Sequence, residues 1–130
     1  MDDDAPCPCG SKLDYVRCCG LLHAGTPAGD AESLMRARYS AYALGIDDYV
    51  LRSWHPSTRP QSLGLDPAVK TKWLRLTILE HLAVDADHAI VEFVYKVIEA
   101  GLHRSVRERS RFLREDGRWY YLDGELLQVA

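Results

Sequence analysis

All four cysteines of the chain, Cys7, Cys9, Cys18 and Cys19, fall within thirteen consecutive positions, as two close pairs separated by eight residues. That confinement decides how the N-terminal segment can fold. Residues 1–25 are rich in Pro and Gly and have too few apolar side chains for a core of their own. A tight hairpin between the pairs gathers four thiolates around one ion, and tetrahedral zinc, held by sulfur at about 2.3 Å, suits that donor set. Gly10 and Gly20 follow the pairs and give the backbone freedom to turn toward the metal. Two disulfides or an iron–sulfur cluster are the alternatives. Neighbouring Cys18 and Cys19 are poorly placed to bridge each other, and nothing in the sequence signals secretion. Four thiolates leave no open coordination position, so the metal is expected to be structural rather than catalytic. His23, four residues past Cys19, either takes a place at the metal or stays at the surface.

The rest of the chain bounds the answer further. At 130 residues it can bury one core, and its 47% apolar and 27% charged residues are those of an ordinary globular protein. No apolar run approaches the roughly 18 residues that span a bilayer, so no membrane association is expected. Met1 is followed by the acidic Asp2, Asp3 and Asp4 with no apolar signal-peptide region, which makes a cytoplasmic location the expectation. A net charge of −3 makes nucleic acid an improbable partner.

After a linker ending at Gly29, Asp30 caps a helix over Ala31–Leu44 that stops before Gly45. Asp47 starts a second helix reaching Trp54, and Asp66-Pro67 starts a third over Pro67–Trp73. From Leu74 the apolar period changes to two, and four strands follow at Leu74–Val84, Ala89–Ile98, Arg104–Arg114 and Arg118–Asp123. The last two are joined by an Asp116-Gly117 hairpin turn. Helices followed by an antiparallel meander make this an α+β chain.

On the helix over Ala31–Leu44, Arg38 falls within the apolar arc, while Arg36 and Ser40 fall opposite it and are expected to face solvent. An enclosed guanidinium needs a partner. Counting by twos from the hairpin turn places Phe112, Ser110, Glu108, Tyr121 and Asp123 on one face of the sheet, with Arg107, Arg109 and Arg111 on the solvated side. The inner face reads as a pocket wall. Its candidate residues are Arg38, Tyr39, Trp54, His55, Glu92, Glu108, Tyr121 and Asp123, with Arg38 and Glu108 expected near each other. His55 or a buried carboxylate is the candidate base, and Arg38 the group that orients an anion.

Cys7-Pro8-Cys9-Gly10-Ser11, Tyr15 and Cys18-Cys19-Gly20 together resemble the SEC-C motif, the small zinc-binding hairpin also found at the C-terminus of the SecA translocation ATPase. The resemblance implies Cys7, Cys9, Cys18 and Cys19 as the zinc ligands. Leu34-Met35-Arg36-Ala37-Arg38-Tyr39, Trp54-His55-Pro56, Glu108-Arg109-Ser110-Arg111-Phe112 and Trp119-Tyr120-Tyr121-Leu122-Asp123-Gly124 extend it to the YchJ-type bacterial family. That family implies a SEC-C hairpin over residues 1–25 and a nuclear-transport-factor-2-like cone over 26–130, in which a curved sheet wraps the first helix. Two functions of different kinds follow as expectations. One is a non-enzymatic protein that docks a protein partner through the zinc hairpin, with the cone as scaffold. The other is a small-molecule binder, or an isomerase- or hydrolase-type enzyme, using the cone around Arg38, His55 and Glu108. Homodimerisation through the sheet is also open.

Overall fold

In a computed structural model, residues 5–66 and 68–127 are described. The acidic residues Asp2–Asp4 and the proline at position 67 lie outside them. A single 3₁₀ turn at Tyr15–Arg17 leads into α1 (Cys19–His23), followed by α2 (Ala31–Leu44), α3 (Asp47–Arg52) and strands β1 (Thr71–Ala83), β2 (His88–Glu99), β3 (Leu102–Glu115) and β4 (Arg118–Leu127). The strands form one antiparallel meander in the order β1-β2-β3-β4. None of the described helices is long and apolar enough to cross a membrane.

Local chemistry accounts for most boundaries. The Asp30 side chain accepts from the Ser33 amide at 2.8 Å and starts α2, and Gly45 ends it in the left-handed conformation. Asp116 (φ 53) and Gly117 (φ 78) turn the β3–β4 hairpin with two left-handed residues, whose twist matches that of the strands they join. Of the helix expected over residues 67–73, the described residues 68–73 form none. The Asp66 carboxylate accepts from the Ala68 amide at 2.9 Å and caps only one turn, and β1 begins at Thr71. Pairing of Thr71, Lys72 and Trp73 with Glu99, Ile98 and Val97 outweighs the local helix-start signal. The second helix likewise ends at Arg52 rather than Trp54. Ile46, not Asp47, holds its cap position, and no side chain caps it.

A bulge decides which residues face inward. Phe112 pairs with Tyr121, as the turn predicts, but Arg111 pairs with Asp123 and Ser110 with Gly124. Leu122 is the extra residue, so the alternation of β4 reverses beyond it. Asp123, counted as inward, is turned outward, and Gly124 takes the inner position.

The core packs α2 against the concave side of the sheet through Leu34, Met35, Val91, Phe93, Phe112 and Tyr121. Cys7, Cys9 and Cys19 belong to the same buried cluster. The hairpin is therefore seated on the body rather than tethered to it. Arg36 and Ser40, expected to face solvent, are the seat. Arg36 Nη1 donates to the Cys9 carbonyl at 2.9 Å, and the fully buried Ser40 lies 3.5 Å from Cys7 Sγ. Both α2 faces are covered, one by the hairpin and the other by the sheet.

Candidate functional site

The cysteine cluster is built by the hairpin backbone. An antiparallel bridge joins Pro6 to Asp14, the Cys7 amide donates to the Leu13 carbonyl at 2.9 Å, and the Tyr15 amide donates to the Ala5 carbonyl at 2.8 Å. This ladder brings the first pair over the second. Gly10, at φ 81, makes the expected turn. Gly20 serves a different need, because a Cβ there would lie 2.6 Å from the Tyr15 carbonyl oxygen. Only glycine lets α1 approach the turn before it so closely.

All four sulfurs lie within 4.8 Å of one another, and none is in a disulfide. Cys9 and Cys18 Sγ are 3.6 Å apart, and Cys18 and Cys19 Sγ 4.0 Å. A tetrahedron with metal–sulfur bonds of about 2.3 Å has edges of roughly 3.8 Å. The donor set therefore fits one metal ion held by Cys7, Cys9, Cys18 and Cys19. Electrostatics points the same way. Hydrogen bonds from Cys19 and Cys9 hold the Cys7 thiol far below its ordinary value, whereas the hydrogen bond to Cys7 and burial push Cys19 far above it. Cys18 is also raised, first by burial. Without a cation, the first thiolate to form in this cluster opposes the others; a divalent ion removes that opposition.

His23 is neither ligand nor surface residue. Its Nε2 donates to the Ala37 carbonyl at 2.8 Å, which fixes the proton there, and its Nδ1 accepts from the Tyr15 hydroxyl at 2.6 Å. The ring packs edge-on against Tyr49, with centroids 4.6 Å apart. Both nitrogens are used in joining the hairpin to α2. Burial lowers the His23 pKa below its ordinary 6.5. The unfolded chain therefore takes up a proton more readily, so the stability linked to His23 is complete above about pH 6.5 and is lost as pH falls through the lower folded value. Urea midpoints should accordingly fall on acidification more steeply for the wild type than for His23→Gln. Parallel curves for the two proteins would contradict this.

The second feature is a cavity of about 340 Å³ on the concave side of the sheet, lined by Arg38, Tyr42, Trp54, Trp73, Tyr95, Glu108 and Tyr121, with Phe93, Val97 and Val106. Glu99 and Arg104, paired at 2.7 Å, also line it. Arg38 is only 3% exposed. Its Nη1 donates to the Val50 carbonyl at 2.9 Å and to Ser53 Oγ at 2.8 Å, and its guanidinium carbon sits 4.2 Å from the centre of the Tyr121 ring and 5.1 Å from that of Trp54. Burial pulls its pKa down, against the opposing influence of Tyr42, Tyr121 and Glu108. Glu108 accepts from Ser110 Oγ and, at 3.1 Å, from the Tyr121 hydroxyl. The expected proximity of Arg38 and Glu108 is thus indirect: Tyr121 stands between them, with its ring on one and its hydroxyl on the other. Gly124 makes room for the carboxylate, since a Cβ there would come within 2.7 Å of Glu108 Cδ.

Four of the eight candidate pocket residues, Arg38, Trp54, Glu108 and Tyr121, line this cavity. The other four do not. Tyr39 is buried against Trp73, edge-on at 5.5 Å, with its pKa pushed up to about 12 by burial. His55 is bound to Glu115 at 2.9 Å and Ser57 at 2.7 Å in the loop after α3. Glu92, on the outer face of β2, is clamped by Arg107 and Arg109, and these guanidinia, Arg107 first, lower its pKa. Asp123 pairs with Arg111 on that same face. The arginine ladder lies on the solvated face as expected, and it is interleaved there with Glu80, Glu92 and Asp123. Trp73, Tyr42 and Tyr95 were not among the candidates. The local signal at Asp66-Pro67 puts Trp73 in a helix, whereas the alternation through Phe93, Tyr95 and Val97 does carry the signal for Tyr95.

Comparison with known proteins places both parts. Residues 30–124 match the model described as the YchJ middle NTF2-like domain, and residues 5–21 match the SEC-C motif. UPF0225 proteins of Xanthomonas campestris are 54% identical over 119 residues, covering 91% of this chain and 92% of theirs. One from Polaromonas naphthalenivorans is 47% identical, covering 92% of this chain and 96% of its own. The solution structure of a SEC-C motif containing protein from Rhodopseudomonas palustris superposes with a TM-score of 0.80 at 33% identity, over 95% of this chain and 99% of that one. The crystal structure of a SEC-C motif containing protein from Psychrobacter arcticus gives 0.76 at 26% identity, over 98% and 86%. With an NTF2-like body, a SEC-C motif and about half its residues shared with these relatives, the chain belongs to the UPF0225 family of YchJ-like proteins.

Proposed function

We propose that this protein is a zinc-structured member of its family, in which the SEC-C hairpin is a protein-contact module carried on the cone as a scaffold. The observation that carries this is the set of four sulfurs within 4.8 Å. Their spacing is that of a mononuclear tetrahedral site and too tight to span a multi-iron cluster, and closed four-sulfur sites favour zinc. The contact role is supported by Leu13, Val16 and Leu21, which are 55%, 40% and 47% exposed on the hairpin, with the charged Lys12 and Arg17 beside them. Metal analysis of the purified full chain tests the first half: about one zinc per chain is expected, and essentially none with all four thiols free would overturn it. For the second half, Leu21→Asp should keep the zinc and the fold while abolishing binding to a purified protein partner. Unchanged binding by Leu21→Asp would refute docking through this surface.

A second reading concerns the cone, and the cavity of about 340 Å³ favours it. That volume suits a small ligand. In this reading Arg38 orients the ligand and Glu108, rather than the distant His55, is the available base for isomerase- or hydrolase-type chemistry.

A further inference from the structure

Arg38 holds its charge under unusual terms. Both hydrogens of Nη1 are taken by neutral oxygens, those of Val50 and Ser53. Among the described residues, nothing accepts from Nε or Nη2, which unlike Trp54 Nε1 are not sealed off, and no carboxylate pairs with the guanidinium. Glu108 would neutralise it, but Tyr121 keeps the two apart. A charge removed from water in this way normally acquires a counter-charge. Beside it, Trp54 Nε1 is the one buried side-chain polar atom without a hydrogen-bond partner among the described residues. Both residues line the same cavity, although Trp54 Nε1 itself is sealed from it. Trp73, Tyr95, Phe93 and Val97 supply an apolar and aromatic wall.

We propose that this cavity binds a small organic anion, a carboxylate on a flat aromatic body, with the carboxylate on Arg38 Nε and Nη2 and the ring against Trp73 and Tyr95. This rests on the second reading above, that the cone is a ligand pocket, and names the ligand class. A guanidinium edge presents two parallel N–H groups that match a carboxylate, which distinguishes this class from neutral ligands of the same shape. Glu108 excludes a second negative charge near the Tyr121 hydroxyl, and its Oε1, which has no donor among the described residues, can accept from a ligand hydroxyl.

The test is a titration of the full-length ¹⁵N-labelled protein, followed at Arg Nε–H and Trp Nε1–H, with 4-hydroxybenzoate and with the neutral 4-hydroxybenzyl alcohol. Saturable shifts of Arg38 Nε and Trp54 Nε1 are expected, with the carboxylate bound at least about tenfold more tightly than the alcohol. Arg38→Met should remove that preference and leave alcohol binding unchanged. Val106→Phe, which fills the cavity and leaves Arg38 in place, should abolish both. Equal binding of acid and alcohol to the wild type would overturn the anion assignment while leaving a pocket. No saturable shift with either compound would overturn both the assignment and the ligand-pocket reading.

Discussion

Cys9→Ser is expected to release the metal and detach the hairpin from α2, at a cost on the order of several kcal/mol. Cys9 is fully buried, and its carbonyl is the acceptor for Arg36. A serine hydroxyl fits the space but does not ionise near neutral pH, so it is a poor ligand for a soft site. With one ligand lost, residues 5–23 keep only their seat on α2, made by Arg36, Ser40 and His23, and nothing gathers the remaining sulfurs against their mutual repulsion. Amide exchange provides the measurement: protection at Cys7, Tyr15 and Cys18 should collapse in the variant, and in the wild type on addition of a strong chelator. If the four thiols were only packed together, the substitution would cost about 1–2 kcal/mol and the chelator would have no effect.

The second large effect is a contrast between two side chains of nearly equal burial. Phe112 is 1% exposed and Arg38 3% exposed, so exposure alone would rank them together. Phe112 packs edge-on against Tyr121 at 5.6 Å beneath the cavity, and Phe112→Ala should cost about 3–5 kcal/mol through lost transfer energy and an unfilled hole. Arg38→Met should cost less than about 1 kcal/mol or even stabilise, because it removes a buried charge that has no counter-ion and replaces it with an apolar chain of similar length. The Val50 carbonyl keeps a donor in Ser53 Oγ at 3.0 Å. Chemical denaturation of the two variants measures both values. A loss of 3 kcal/mol or more for Arg38→Met would show that the guanidinium is structural cement rather than a binding group.

What could be read from the sequence, and what could not, divides along locality. The cysteine cluster was legible because its ligands lie within thirteen positions, and the Asp116-Gly117 hairpin because two residues specify it. The enclosure of Arg38 followed from helical periodicity. The inward placement of Asp123 failed because a single extra residue, Leu122, reverses the alternation, and nothing in the local sequence marks it as the bulge. Trp73 reads as helical because Asp66-Pro67 is a sound local signal that strand pairing overrides. Arg36 and Ser40 looked like solvent-facing residues because their partners, the Cys9 carbonyl and Cys7 Sγ, are 27 and 33 positions away. The seat of His23 is hidden on the same grounds, since a polar contact to the Ala37 carbonyl leaves no periodic trace.

The seating of the hairpin on α2 bears on how the molecule comes apart. The sequence divides into two units at about residue 25, but Ala37 and Ser40 are fully buried, and Tyr15, His23 and Ala37 form a continuous chain of hydrogen bonds across the divide. Cutting there would expose the side of α2 opposite the sheet and strip the core of three of its members, Cys7, Cys9 and Cys19. Thermal unfolding should therefore run as one cooperative transition, and a fragment beginning at Asp30 should melt lower than the whole. The boundary visible in the sequence is a seam within one melting unit.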